Sequence, residues 1–222
     1  MRKITLMLLI FVFFFSFFEL SLAKDKKTGK IEKDNLIDEE FGYQLKVFSN
    51  WKINLEKEPS LVRSILTKKN YQVNKSSTLF EEERLIPTIV ICADTTSLSL
   101  QEIENNLIKG KGSFRNKDEY LKHLETIATY ELSNSMDIAL DSIAGKVYGF
   151  KKSYTRQVVN PSQSYGPSSG NLITKEDYYI GEIVLLKKGN DLYIIQLTGE
   201  REYFTVVEKE FSKMLESWKF LR

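Results

Sequence analysis

The stretch Phe41–Leu55, FGYQLKVFSNWKINL, decides the fold. Phe41, Tyr43, Leu45 and Val47 alternate with Gly42, Gln44 and Lys46; beyond Ser49-Asn50, Trp51, Ile53 and Leu55 alternate with Lys52 and Asn54. A period of two puts every second side chain on one face. The stretch therefore predicts two short strands meeting at a tight Phe48-Ser49-Asn50-Trp51 turn, a hairpin whose apolar face must be covered. The far end of the chain supplies a cover. From about Tyr203 the residues Phe204, Val207, Phe211, Met214, Leu215 and Trp218 recur at helical spacing, with Glu208, Lys209, Glu210 and Lys213 mostly outward. Trp51 and Trp218 are the two tryptophans, and the two ends are expected to meet over one core.

Toward the amino terminus, residues 1–23 read as a signal peptide. Arg2 and Lys3 precede an apolar run from Ile4 to Phe18, and Ser21-Leu22-Ala23 supplies the small residues of a cleavage site after Ala23. The alternative is an uncleaved anchor, since Ile4–Ala23 has about the length that spans a bilayer, although Glu19 is costly in hydrocarbon. Membrane attachment is expected only in that case. Lys24–Asn35, KDKKTGKIEKDN, is charged and aperiodic and is expected to be a flexible leader. Residues 36–222 are enough for a single domain with one core.

Composition narrows the partners. The chain of 222 residues has 32 Lys+Arg against 30 Asp+Glu, a formal net charge of +2. So even a balance argues against nucleic acid or an anionic membrane as an electrostatic partner. Cys92 is the one cysteine, so no intrachain disulfide can form; it lies in Thr88–Ala93, TIVICA, and reads as a small buried hydrophobe rather than a reactive thiol.

Between the two ends the pattern alternates between strand and helix. Leu61–Leu66 predicts a strand, Thr67–Glu83 is polar, and Ile86–Ala93 predicts a buried strand with Pro87 at its start. Ser99 and Glu102 form a capping box, with Leu98 and Ile103 placed as a hydrophobic staple; Leu100, Ile103 and Leu107 line one face and Gly110 ends the helix. Asn116 with Glu119 opens a second helix carrying Tyr120, Leu124 and Ile127. Its lone histidine, His123, lacks the companions a metal ligand or base needs and reads as a surface residue. Strands follow over Met136–Leu140 and Lys146–Val159, with a turn at Ile143-Ala144-Gly145. Asn160–Asn171, NPSQSYGPSSGN, predicts a loop. Tyr178–Lys187, a Lys188-Gly189-Asn190-Asp191 turn and Leu192–Leu197 predict a further hairpin.

The chemistry-bearing motifs are absent. No nucleophile motif, phosphate loop or zinc spacing occurs; Gly110-Lys111-Gly112 lacks the rest of a P-loop. Asp137 and Asp141 flank a strand end and read as solvated turn residues, and Glu81-Glu82-Glu83 as a solvated charge run. The expectation is no catalytic residue, no metal and no cofactor. Recognition is then expected on a loop, Val159–Asp177, with Arg156, Tyr165 and Tyr178 as binding residues, since tyrosine and arginine anchor interfaces. A long connection without a task is the alternative.

The order of elements resembles the PsbP-like superfamily, which includes DcrB-type envelope proteins. The resemblance rests on GYxLxxxxxW at Gly42–Trp51, a capped helix after a central strand, two long strands joined by a variable loop, a short hairpin and a final segment closing on ESWKFL at Glu216–Leu221. It implies an α+β fold, an α/β/α sandwich with a central, mainly antiparallel sheet of about six strands and helices on both faces. It also implies a non-catalytic secreted or periplasmic binding or accessory module, acting on a protein partner in the cell envelope, with the chain as a monomer. The metal-binding histidines of plant members find no counterpart here, and the lipid-anchoring cysteine of DcrB-type proteins is absent. Two further readings are a signal-anchored envelope protein presenting the same domain, and a hydrolase, which requires a polar cleft with perturbed carboxylates.

Overall fold

The computed structural model describes residues 26–71, 86–105, 131–133, 135–159 and 172–221. These form two antiparallel sheets and two α-helices. The larger sheet contains β4 (Trp51–Leu55), β5 (Val62–Lys68), β6 (Thr88–Thr95), β7 (Glu131–Leu132), β8 (Met136–Leu140), β9 (Ile143–Val159), β10 (Leu172–Lys188) and β11 (Asp191–Glu200). Its order is β4-β5-β6-β11-β10-β9-β7, with β8 also paired to β9. The smaller sheet runs β1 (Lys30–Glu32), β2 (Asn35–Asp38), β3 (Tyr43–Lys46) and β12 (Lys219–Phe220). The helices are α1 (Leu100–Ile103) and α2 (Phe204–Glu216), the latter entered through one 3-10 turn at Arg201–Tyr203.

Strand parity builds two cores. On one face Ile89, Ile91, Val147, Val184, Leu186, Tyr193 and Ile195 pack with Phe204, Val207, Phe211 and Met214 of α2. On the other, Val90, Cys92, Tyr148, Phe150, Ile183, Leu185 and Ile194 pack with Ile103 of α1. Gly181 permits this second packing, because a Cβ there would lie 2.1 Å from the Leu197 carbonyl oxygen and 2.3 Å from the Phe150 ring. The sheet is thus larger than the six strands expected. Among the described residues the layering on its faces comes from a four-residue helix on one side and a thirteen-residue helix on the other.

Several sequence expectations hold locally. Ser99 caps α1 in a reciprocal box with Glu102, Gly189 takes φ 60° in the β10–β11 turn, and Cys92 is buried. The ends of the chain meet: the Tyr43 and Trp218 rings stack 4.5 Å apart at 8°. Trp218 itself lies just past α2 rather than in its stripe.

Four expectations are corrected. The Phe48–Trp51 turn forms, with the Trp51 amide donating to the Phe48 carbonyl at 3.0 Å, but its strands do not pair. β3 joins β2 and β12 while β4 joins β5, so the turn passes the chain from one sheet to the other. The charged segment expected as a leader carries β1 and β2, held because Thr28 is buried: its hydroxyl donates to the Arg63 carbonyl, and the Arg63 guanidinium donates to the Thr28 carbonyl at 3.1 Å. The turn placed at Ile143–Gly145 lies at Asp141-Ser142, where both residues have positive φ, 46° and 68°. That is the type I′ geometry whose twist suits a two-residue hairpin. β10 begins at Leu172, six residues before the expected Tyr178. The end of α1 at Gly110, the second helix with His123, and Glu81–Glu83 lie outside the described residues.

Candidate functional site

The candidate site is a groove along one flank of α2. The helix lies across the larger sheet near β11, and its opposite flank is fastened. Glu210 accepts from Trp51 Nε1 at 2.8 Å and Asn50 Nδ2 at 3.1 Å and pairs with Lys68, joining α2 to β4 and β5. Burial works to raise the Glu210 carboxyl, but the hydrogen bonds from Lys68, Trp51 and Asn50 outweigh it and hold the group below the usual range. Glu208, Ser212, Leu215 and Glu216 follow one another at helical spacing on the other flank, toward β8, β9 and β10.

Between that flank and the β8–β9 hairpin is a cavity of about 310 Å³. Ile138, Ala139, Leu140, Val147 and Leu215 give it apolar walls; Asp141, Glu182, Ser212 and Glu216 supply its polar atoms. The size falls at the lower end of small-ligand sites. Among the described residues no lysine or arginine lines it.

Glu182 sits in this groove for a reason readable in β10. Ile180, Glu182, Val184 and Leu186 occupy alternate positions, and the apolar members of that row belong to the core under α2. A carboxyl group therefore stands where the pattern calls for a hydrophobe. Its cross-strand neighbour in β9 is Gly149, which offers no side chain. Burial pushes the Glu182 carboxyl up to about 7, and the charge of Glu208, with which it shares a hydrogen bond, adds to the shift. Near neutral pH Glu182 is therefore only partly ionised, where an ordinary carboxyl would have lost its proton.

The expected binding residues are only partly brought together. Tyr178 is half-buried on β10, with the Lys151 ammonium 4.6 Å and the Arg201 guanidinium 5.3 Å from its ring centre, a cationic and aromatic patch beside the start of α2. Arg156 lies in β9 paired with Lys175, whereas Tyr178 pairs with Ser153, so the ladder sets them three residues apart, roughly 10 Å along the strand. Tyr165 lies outside the described residues. Of the expected loop Val159–Asp177, residues 172–177 are strand.

A second concavity of about 380 Å³ is bounded by Lys26, Lys30, Asp38, Glu39, Glu40 and Glu58. Its charges are paired internally: Lys26 with Glu58 at 2.8 Å, Lys30 with Glu39 at 2.6 Å, and buried Arg63 with Asp38 at 2.7 Å. That cluster fastens the N-terminal strands. The groove at Glu182 differs in carrying one sign of charge.

Sequence reasoning missed Glu182, Glu208 and Glu210 as site residues. The row Ile180-x-Glu182-x-Val184-x-Leu186 held a signal for the first; Glu208 and Glu210 read as outward charges until the strands beside α2 were known.

Among the described residues no helix is long and apolar enough to cross a membrane, and no group of three metal-ligating side chains occurs. No family model matches the chain, and no curated protein does. Solved structures of similar fold include the cyanobacterial PsbP, CyanoP, from Synechocystis, 9% identical over 90% of this chain and 99% of that one, with a TM-score of 0.49. They also include LpqN, involved in cell envelope biogenesis of Mycobacterium tuberculosis, 11% identical over 80% and 82% of the two chains, with a TM-score of 0.43.

Proposed function

We infer that this protein is a non-catalytic binding module, exported by its N-terminal segment, that recognises a protein partner in the cell envelope through the groove beside α2. One observation carries the reading: a rigid sheet face and a clamped helix leave between them an apolar trough lined by Glu182 and Glu216, with no lysine or arginine among the described residues that line it. Burying carboxyl groups without a counter-charge costs stability, and a partner that supplies the counter-charge recovers that cost. Tyr178 with Lys151 and Arg201 lies farther along the same flank and would extend the contact surface with an aromatic anchor.

The test places a photoreactive side chain at Ala139 in the groove and, as control, at Lys52 on β4. Irradiation of cells should give a crosslinked protein from position 139 and none from 52. Equal crosslinking from both positions, or none from 139, overturns the reading.

A second reading, acid–base hydrolysis by Glu182 with Glu208, is favoured by the raised Glu182 carboxyl. Hydrolysis of a peptide or glycoside panel that disappears in Glu182→Gln would establish this reading in place of the first.

A further inference from the structure

The nature of the groove identifies what it seats, and this step rests on the binding reading above. We propose that the trough between α2 and the β8–β9 hairpin receives a lysine side chain from an extended segment of the partner, its aliphatic stem on Leu140, Val147 and Leu215 and its ammonium group at Glu182.

Three observations lead there. The floor is apolar, with Ile138, Leu140, Val147 and Leu215, so the guest must offer methylene surface. Among the described residues the charged members are all carboxyls, Asp141, Glu182 and Glu216, so the guest should end in a cation. The volume of about 310 Å³ suits one long side chain, not a folded element. Lysine joins an apolar stem to a compact charge, which matches both requirements.

The neighbouring charges leave this role unfilled. Asp141 already accepts from the Phe220 amide at 2.8 Å, and Lys146 is engaged by Asp137 at 2.7 Å. Lys151, two residues along β9 from Gly149, stands over the Tyr178 ring. An arriving ammonium would favour the ionised form of Glu182: its carboxyl releases H⁺ to solvent and accepts a hydrogen bond from the guest.

The experiment titrates the full-length chain, followed by amide NMR and calorimetry, with a blocked Ala-Ala-Lys-Ala-Ala peptide. The control is the same peptide with norleucine, which keeps the stem and removes the charge; free cadaverine is a third arm. The lysine peptide should shift amides of Ala139, Leu140, Val147 and Leu215 and release protons at pH 6. Glu182→Gln should weaken it about tenfold or more, the expected loss of a charge-assisted contact. Norleucine binding as tightly as lysine, lysine binding without shifts in the groove, or unchanged affinity in Glu182→Gln overturns the proposal. Cadaverine binding where the peptide does not would move the guest from a partner side chain to a free amine and overturn it as well. The binding reading can survive these results: a crosslink from Ala139 with no lysine affinity leaves the module in place with a different guest, while lysine affinity with no crosslink leaves the site and removes the protein partner.

Discussion

At the residue scale, Arg63 and Glu182 show opposite treatments of a buried charge. The Arg63 side chain is 3% exposed and that of Asp38 1%; the guanidinium donates to Asp38 through Nε at 2.7 Å and to Glu40 through Nη2 at 2.7 Å. Asp38 also accepts the Glu40 and Phe41 amides, each at 3.1 Å. Arg63→Met would leave an unpaired carboxylate in the interior and should cost about 3–5 kcal/mol in urea denaturation. Adding Asp38→Asn keeps an oxygen for the two amides, removes the orphaned charge and should restore much of that loss. Glu182 is half-buried with no cation among the described residues lining its groove, and its carboxyl is raised from the ordinary 4.5 to about 7. Between those values the folded chain holds a proton that the unfolded chain has released, so stability falls as pH rises through that window and levels off above it. Solvent screening of a partly exposed side chain keeps the fall to about 1–2 kcal/mol. In Glu182→Gln the urea midpoint should show this decline no longer; an unchanged slope between pH 4.5 and 7 would mean the shift arises elsewhere.

At the scale of elements, what could be read in the sequence was local and what could not was pairing. The Ser99–Glu102 box and the Gly189 turn are encoded in a few adjacent residues, and both form. The alternation around Tyr43 and Trp51 fixes which faces are apolar, and Tyr43 and Trp51 are both buried. Periodicity says nothing of which strand lies alongside, and so β3 and β4 sit in different sheets. The same limit hid β1 and β2, the second of which places Asp38 against Arg63 far along the chain, and hid the groove, whose carboxyls come from a strand and a helix apart in sequence. Of the expected recognition residues, Tyr178 lies near that groove for a reason the sequence did carry, its place in the β10 row. The Asp141-Ser142 turn could have been found only by register, because Ser is not the residue that geometry favours. Ser142 holds φ 68°, a conformation costly for a residue with a Cβ. Ser142→Gly should therefore stabilise the β8–β9 hairpin, one bank of the groove, by roughly 0.5–1 kcal/mol in thermal or urea unfolding. A loss of stability would show that Ser142 contributes a contact worth more than the backbone strain.

At the scale of the molecule, the two sheets depend unequally on the contact between the chain ends. The core under α2 takes residues from both sheets: Leu36, Tyr43 and Leu45 from the smaller, Ile91, Val184 and Ile195 from the larger, with Trp218 among them. Among the described residues the core on the other face draws on the larger sheet, α1 and the adjoining Leu61 and Leu98, with none from the smaller sheet. Trp218 stacks on Tyr43 and meets Tyr193 edge-on at 5.8 Å, so it is bonded by packing to both sheets at once. Trp218→Ala would empty the space between them, and a substitution of this kind costs about 3–5 kcal/mol. The larger sheet retains its second core and the ladder between β10 and β11; among the described residues the smaller sheet contributes only to the core that the substitution opens. Hydrogen exchange should then show amides of β2 and β3 losing protection by a larger factor than those of β10 and β11, a sub-global opening of the smaller sheet below the global unfolding. Loss of protection by the same factor in both sheets would mean that Trp218 supports one cooperative body, with the smaller sheet no more dependent on the chain ends than the larger.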